Sequence, residues 1–156
     1  MNVKEDVRIV KPFLNAVQSV LSMMAMVEAT PGKPYIKKDS QAVGDVTGII
    51  SLSGDRNGTI SVTFSEACIL RVVSGMLGEE ITEMGAEIRD AVGELTNMIS
   101  GQARQGLSAL GTKFDGGIPS VIMGKNHTIS HICKEPILAI PFSTACGAFT
   151  VEVSLE

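Results

Sequence analysis

The sequence predicts an α+β fold, an antiparallel sheet with long helices packed on one face. Three observations predict it. An apolar stripe of helical period lies near the start of the chain. A strand–turn–strand pattern with period-two alternation follows. After two further helical stretches the chain closes in short apolar runs separated by turn residues.

Lys11 to Glu28 reads as the first helix. Pro12 suits its first turn. Phe13, Val17, Val20, Leu21, Met24 and Val27 recur at spacings of three and four, which makes one apolar face. Met23, Met24 and Met26 are expected to fill core rather than ligate. TPGKP at residues 30–34 ends the helix. Val46 to Phe64 reads as a β-hairpin, with GIISLSG and TISVTF joined by DRNG. Asn57-Gly58 is its turn signal, because both residues tolerate positive φ. Ile60, Val62 and Phe64 alternate with Thr59, Ser61 and Thr63, so one face is expected buried and the other polar. Ser65 caps a helix that runs to about Leu77, with Gly78 as its stop. GEEITEMG is an acidic connector, and a second long helix spans Ala86 to about Leu107. IPSVIMG, HTISHI, PILAIPF and AFTVEVSL then read as antiparallel strands.

The bulk numbers narrow the function. A chain of 156 residues suits one domain, residues 1–156, with a core that needs no staples. Hydrophobic residues make up 44% and charged ones 19%, an ordinary globular balance. The net charge of −4, with five Phe, one Tyr and no Trp, argues against a nucleic-acid groove. Cys68, Cys133 and Cys146 are odd in number and form no CxxC pair, which fits a reducing compartment and small buried side chains. The apolar stretch from Phe13 to Ala29 is broken by Asn15, Gln18 and two serines and preceded by Glu5 and Asp6, unlike a signal segment. No run approaches the ~18 to 20 apolar residues of a membrane span. A cytoplasmic protein is expected.

The helix at 86–107 carries the informative pattern. At about 100° per residue, Ile88, Ala91, Val92, Leu95, Ile99 and Ala103 share the core side. Glu87, Asp90, Glu94, Asn97, Gly101 and Arg104 fall in one row opposite. Each interior glycine costs ~1 kcal/mol against alanine. Gly93 and Gly101, beside the Glu94/Asn97 pair, therefore imply that something approaches this backbone closely. An amide keeps one donor and one acceptor at any pH, so Asn97 can orient a water without taking a proton. A carboxylate one turn away, at Glu94, can pair with a lysine on a docked partner. From the residues alone, the pair reads equally as an exposed Glu and Asn on a solvated face.

DAVGELTNMISGQA, residues 90–103, resembles the signature of the CheC/CheX/FliY phosphatases of bacterial chemotaxis. That signature is D/S-x3-E-x2-N with a Pro some twenty-two residues further on. Asp90, Glu94 and Asn97 match its spacing, and Pro119 follows with twenty-one residues between. KPFLNAVQSVLSMMA, GKPY, GIISLSGDRNGTISVTFSE, MLGEE, ITEM and VIMGKNHTI resemble the CheX branch, so the likeness covers nearly the whole chain.

The resemblance implies a CheC-like fold and a phosphatase acting on a phosphorylated CheY-type response regulator. It implies that Asn97 enters the receiver's site and orients the attacking water, and that Glu94 pairs with the receiver's active-site lysine. Asp90, Gly93 and Gly101 would meet the partner. No metal or cofactor of its own is expected; Mg²⁺ is the receiver's. The first helix has Asn15 but Pro12 where a glutamate would stand, so one site per chain is implied, in a homodimer. The alternating apolar strands of the C-terminal half are the expected pairing edge. A rival reading is a non-catalytic module of the same fold that binds a receiver or the flagellar switch.

Other chemistry is weakly supported. His127, His131 and Cys133 share a face if HTISHIC is a strand, but no acidic residue is placed to complete a metal site. Gly44, Gly48, Gly54 and Gly58 lack the lysine of a phosphate-binding loop. Nothing groups Ser, His and Asp into a triad.

Overall fold

The apolar stripe near the start of the chain seats its helix on the core. Phe13, Val17, Val20 and Leu21 are fully buried. The computed structural model of the protein describes residues 3–38, 44–125 and 137–155. Helix α1 spans Val3–Ala25, shifted toward the N-terminus from the expected range. Pro12 therefore lies inside it rather than in its first turn, where it leaves one helical carbonyl without its donor. The position is set by packing: a Cβ on Gly106 would stand 2.9 Å from the Pro12 Cβ. The helix ends before TPGKP, because Met26 turns left-handed with φ 54° and the Val27 N–H reaches back to the Leu21 carbonyl at 3.1 Å. That turn throws Met26 outward. Met23 and Met26 are 68% and 83% exposed, so of the three methionines expected in the core only Met24 packs there.

The remaining elements follow in order. Strands β1 (Thr30–Pro31) and β2 (Tyr35–Lys37) occupy the stretch expected only to end the helix. The hairpin is β3 (Val46–Gly54) and β4 (Gly58–Phe64). Helix α2 (Glu66–Leu77) begins at Ser65, whose hydroxyl accepts from the Cys68 N–H, and stops at Gly78, φ 69°. Helix α3 covers Ala86–Ala109. Strands β5 (Phe114–Gly116), β6 (Ser120–Met123), β7 (Ile137–Thr144) and β8 (Gly147–Leu155) complete the described chain. HTISHI lies outside the described residues. The sheet runs β1-β7-β8-β4-β3-β5, with β2 also on β7 and β6 also on β3. Every pairing is antiparallel. The helices cover one face, where Val46, Ile50, Ile60, Val62, Val151 and Val153 join the α1, α2 and α3 stripes in a common core.

Two expectations about the sheet need correction. Asn57-Gly58 does not supply left-handed turn residues; the positive φ is at Gly54, 130°. Gly58 is a buried strand residue whose Cβ would meet the Ser154 carbonyl and Leu155 Cδ2, both at 2.5 Å. It is glycine because β8 crosses close beside it. The polar face of β4 is not solvated either. Thr47, Thr59, Ser61, Thr63, Glu152 and Ser154 are at most 1% exposed. Burial favours pairing of such groups, and only the Ser61 hydroxyl finds no partner among the described residues. The Thr47 and Thr63 hydroxyls meet at 2.7 Å, and Lys37 Nζ reaches Glu152 Oε2 at 3.0 Å.

Strand β8, the most regularly alternating one, is also no free edge. It lies between β7 and β4 and is paired on both sides. Edges remain at β1/β2 and at β5/β6 among the described residues.

Candidate functional site

Helix α3 is seated on the sheet by a glycine. Thr96 is fully buried, its hydroxyl donates to the Val92 carbonyl at 2.7 Å, and it stands over Gly48 of β3. A Cβ at Gly48 would overlap the Thr96 hydroxyl and stand 3.1 Å from Val92 Cγ1. No larger residue fits there without lifting the helix. Gly48→Ala is expected to destabilise the protein by about 1–3 kcal/mol, the usual range for overpacking, read as a lower denaturation midpoint.

Seated this way, α3 buries Ile88, Ala91, Val92, Leu95, Ile99 and Ala103. It presents Asp90, Glu94 and Asn97 to solvent in one row. Side chains three and four apart on a helix stand ~5–6 Å apart at Cβ. Neither Glu94 nor Asn97 spends its side chain on a hydrogen bond or ion pair among the described residues. A buried Asn97 bonded to its own sheet would have removed the reading of it as a reactive group.

The row borders a shallow pocket of about 400 Å³ lined by Arg89, Asp90, Gly93, Glu94, Asn97, Pro119 and Val121. Thus Asp90, Gly93, Glu94 and Asn97 come together, and Pro119 joins them from the β5–β6 connection. Gly101 lies one turn further along and does not line the pocket. Packing among the described residues requires neither glycine. A Cβ at Gly93 would make ordinary contact with Val121 Cγ2 at 3.6 Å, and one at Gly101 would meet, among those residues, only Arg104 Nη2 at 3.8 Å.

Arg89 and Val121 were not foreseen. The Arg89 guanidinium donates through Nη1 to the Val121 carbonyl at 3.0 Å, which ties the helix to the edge strand and leaves a cation on the pocket wall. Its sequence signal was its place four residues before Gly93, on the same side of the helix. The pocket thus offers two carboxylates, one guanidinium and one amide. That composition suits holding a charged group and a water. Among the described residues it contains no hydroxyl or thiol nucleophile.

Elsewhere the chemistry is thinner. A pocket of about 410 Å³ lies between the end of α1 and the β7–β8 turn, lined in part by Cys68, Arg71, Thr144 and Cys146. Burial pushes the Cys68 thiol up to about 11, so it is protonated and a poor nucleophile at neutral pH. Cys146 is exposed, not a buried apolar filler as expected, because it stands in the β7–β8 turn. No group of three or more His, Cys, Asp or Glu among the described residues is placed to hold a metal ion. His127, His131 and Cys133 lie outside the described residues. No described helix is long and apolar enough to cross a membrane.

Comparison with known proteins shows what the chain as a whole is similar to. The family model described as Chemotaxis phosphatase CheX matches residues 46–143, which include the hairpin, the α3 row and Pro119. A curated relative from Thermotoga maritima, named CheY-P phosphatase CheX, is 29% identical over 136 residues, covering 85% of this chain and 88% of that protein. The crystal structure of a chemotaxis protein CheX from Desulfovibrio desulfuricans is 53% identical with a TM-score of 0.89, covering 95% of this chain and 99% of that one. A crystal structure of the CheX–CheY–BeF₃–Mg²⁺ complex from Borrelia burgdorferi is 29% identical with a TM-score of 0.81, covering 94% of this chain and 97% of that one.

Proposed function

This chain belongs to the CheX family of chemotaxis phosphatases, and from that premise we propose that it hydrolyses the aspartyl phosphate of a CheY-type response regulator with the α3 row as its working edge. The observation that carries the reading is the exposed pair Glu94 and Asn97, without a side-chain partner among the described residues, at the pocket closed by Pro119. The Borrelia complex supports the choice of partner, since it holds CheY with BeF₃ and Mg²⁺.

The receiver docks on α3, and Gly93 and Gly101 leave room for its loops. Glu94 pairs with the receiver's active-site lysine and fixes the register, in a charge-assisted contact. Asn97 enters beside the phosphoryl group. Its carbonyl accepts a hydrogen bond from one water and holds the water's oxygen in line with phosphorus. The water attacks, the bond between phosphorus and the aspartyl oxygen breaks, and inorganic phosphate and a free carboxylate result. Asn97 takes no proton and forms no bond to phosphorus, because an amide is neutral at any working pH. Phosphoryl transfer depends mainly on positioning and charge stabilisation, and a water-orienting amide plays the same part in GTPases. The Mg²⁺ belongs to the receiver. Asp90 stands one turn before Glu94 on the rim and contacts the partner. The protein works as a homodimer in the cytoplasm, and the β1/β2 edge, where Tyr35 and Ile36 are exposed, is the better candidate for its pairing surface.

The test is the rate of phosphate loss from a purified phosphorylated CheY-type receiver, with and without this protein. Acceleration is expected. Binding without acceleration across the candidate receivers would make the α3 row a docking surface only. Glu94→Ala is expected to raise KM by roughly tenfold, the loss of about 1.4 kcal/mol of docking energy, with a smaller change in kcat.

A further inference from the structure

The pocket takes up only half of the exposed α3 row. A pocket of about 400 Å³ admits a few side chains, whereas a stable protein interface spans roughly 800 Å² on each partner. The receiver must touch more than the pocket, and the other half of the row has a structure of its own.

Gly116 pairs with Leu52 at the end of β5, and Ser120 pairs with Ile49 at the start of β6. Residues 117–119 therefore face only Ile50 and Ser51, which makes a bulge in the edge strand. The bulge is pinned, since the Gly117 N–H donates to the Ser51 carbonyl at 2.9 Å. It runs alongside α3: Gly116 lies against Arg104, and Pro119 lines the pocket with Glu94 and Asn97. Ile118 stands between these two contacts, 91% exposed.

Arg104 is held as firmly. A Cβ at Gly116 would stand 3.0 Å from its Cζ and Nη2 and 3.1 Å from its Nε. Three guanidinium atoms at nearly one distance mean that the planar face covers the side of Gly116 where a Cβ would stand. Nε donates to the Ser100 hydroxyl at 3.3 Å. No carboxylate among the described residues pairs with Arg104. Its position is roughly 10 Å along the helix from Asn97, seven residues at 1.5 Å each. A planar cation fixed in one orientation and an apolar side chain on a pinned bulge add little to this chain's own core. Held ready, they bind a partner with little ordering cost.

We infer that Arg104 and Ile118 form a second docking contact for the receiver, in which Arg104 takes a surface carboxylate and Ile118 an apolar patch. The contact sets which receivers the protein accepts. It rests on the proposed function, because it is continuous with the reaction pocket.

The test is steady-state hydrolysis of the phosphorylated CheY-type receiver by wild type, Arg104→Glu, Arg104→Lys, Ile118→Asp and Asn97→Ala. The expected result is a KM raised by about tenfold or more in Arg104→Glu and Ile118→Asp, with kcat within about twofold of wild type. The Arg104→Glu defect shrinks in high salt, as a screened charge contact does. Arg104→Lys recovers only part of it, because an ammonium lacks the planar fork. Ile118 is exposed enough that its variant folds even if Arg104→Glu does not. A KM near the wild-type value in Ile118→Asp and Arg104→Glu, or a fall in kcat in place of a rise in KM, overturns the inference. If Asn97→Ala is inactive in the same series, the proposed function survives that failure. If the wild type hydrolyses no receiver, both fall.

Discussion

Asn97→Ala is expected to lower kcat for receiver dephosphorylation by roughly 10²–10³-fold, the cost of removing one preorganised polar group from a reacting centre, while KM changes little. The direction follows from where the side chain stands. Asn97 is exposed, bordered by the pocket and bonded to nothing else among the described residues. Its removal therefore breaks no side-chain hydrogen bond among the described residues. Alanine is also the better helix former, so the helix gains a few tenths of a kcal/mol. A loss of turnover then cannot be charged to unfolding, and thermal denaturation alongside the assay shows it. Two further variants separate water positioning from simple bulk. Asn97→Asp keeps the shape but brings a negative charge to an anionic group and loses the donor, so it is as inactive as alanine. Asn97→Gln keeps the amide but moves it outward by one methylene, so it retains part of the rate. A kcat for Asn97→Ala within a few-fold of wild type would remove Asn97 from the reaction.

Lys37→Met is expected to destabilise the fold by about 3–5 kcal/mol, the range for breaking a buried ion pair from one side. The side chains of Lys37 and Glu152 are 4% and 1% exposed and meet at 3.0 Å. Lys37 belongs to β2 and Glu152 to β8, with β7 between them. Lys37 pairs in register with Ile137, and Glu152 with Ala139. The lysine therefore reaches across a strand, over a small residue, to the centre of the sheet. Removing it leaves a carboxylate in a dry site with one partner fewer. The double variant Lys37→Met/Glu152→Leu should recover most of the loss, since a well-packed apolar pair often equals a buried ion pair. Chemical denaturation of the wild type, both single variants and the double variant measures this. Equal stability of Lys37→Met and wild type would mean that the pair contributes nothing to holding β2 in place.

The two predictions differ in how far the sequence alone leads to them. The Glu94/Asn97 row was legible because it needs only the helical period. Residues three and seven apart share a face whatever the helix packs against, and the apolar positions between them say which side is outside. The Ser65 and Gly78 caps of α2 were legible for the same reason, since a cap is settled within four residues of the helix end. The Lys37–Glu152 pair was not. Nothing near Lys37 marks it as buried, and TPGKP at 30–34 reads as punctuation rather than as the lead into two edge strands. Glycine was misread where its cause was distant. Gly58 looked like a turn residue beside Asn57, but the neighbour it yields to is β8, almost a hundred positions along.

The pocket shows the division most plainly. The sequence by itself determined the fold class, the helix and its outward row, and through the Asp90, Glu94, Asn97 and Pro119 spacing the likeness to the chemotaxis phosphatases. Only the tertiary structure decided that Pro119 and Val121 close the pocket beside that row, that Arg89 ties it to the sheet edge, and that Arg104 covers one side of Gly116. It alone decided that β8 sits inside the sheet and that a face of threonines and serines is buried. The reason is the range of the forces. Helical period, caps and strand alternation follow from backbone geometry and are complete within one or two turns. Strand order and the burial of a polar face depend on which distant segments exclude water together, and no local pattern carries that.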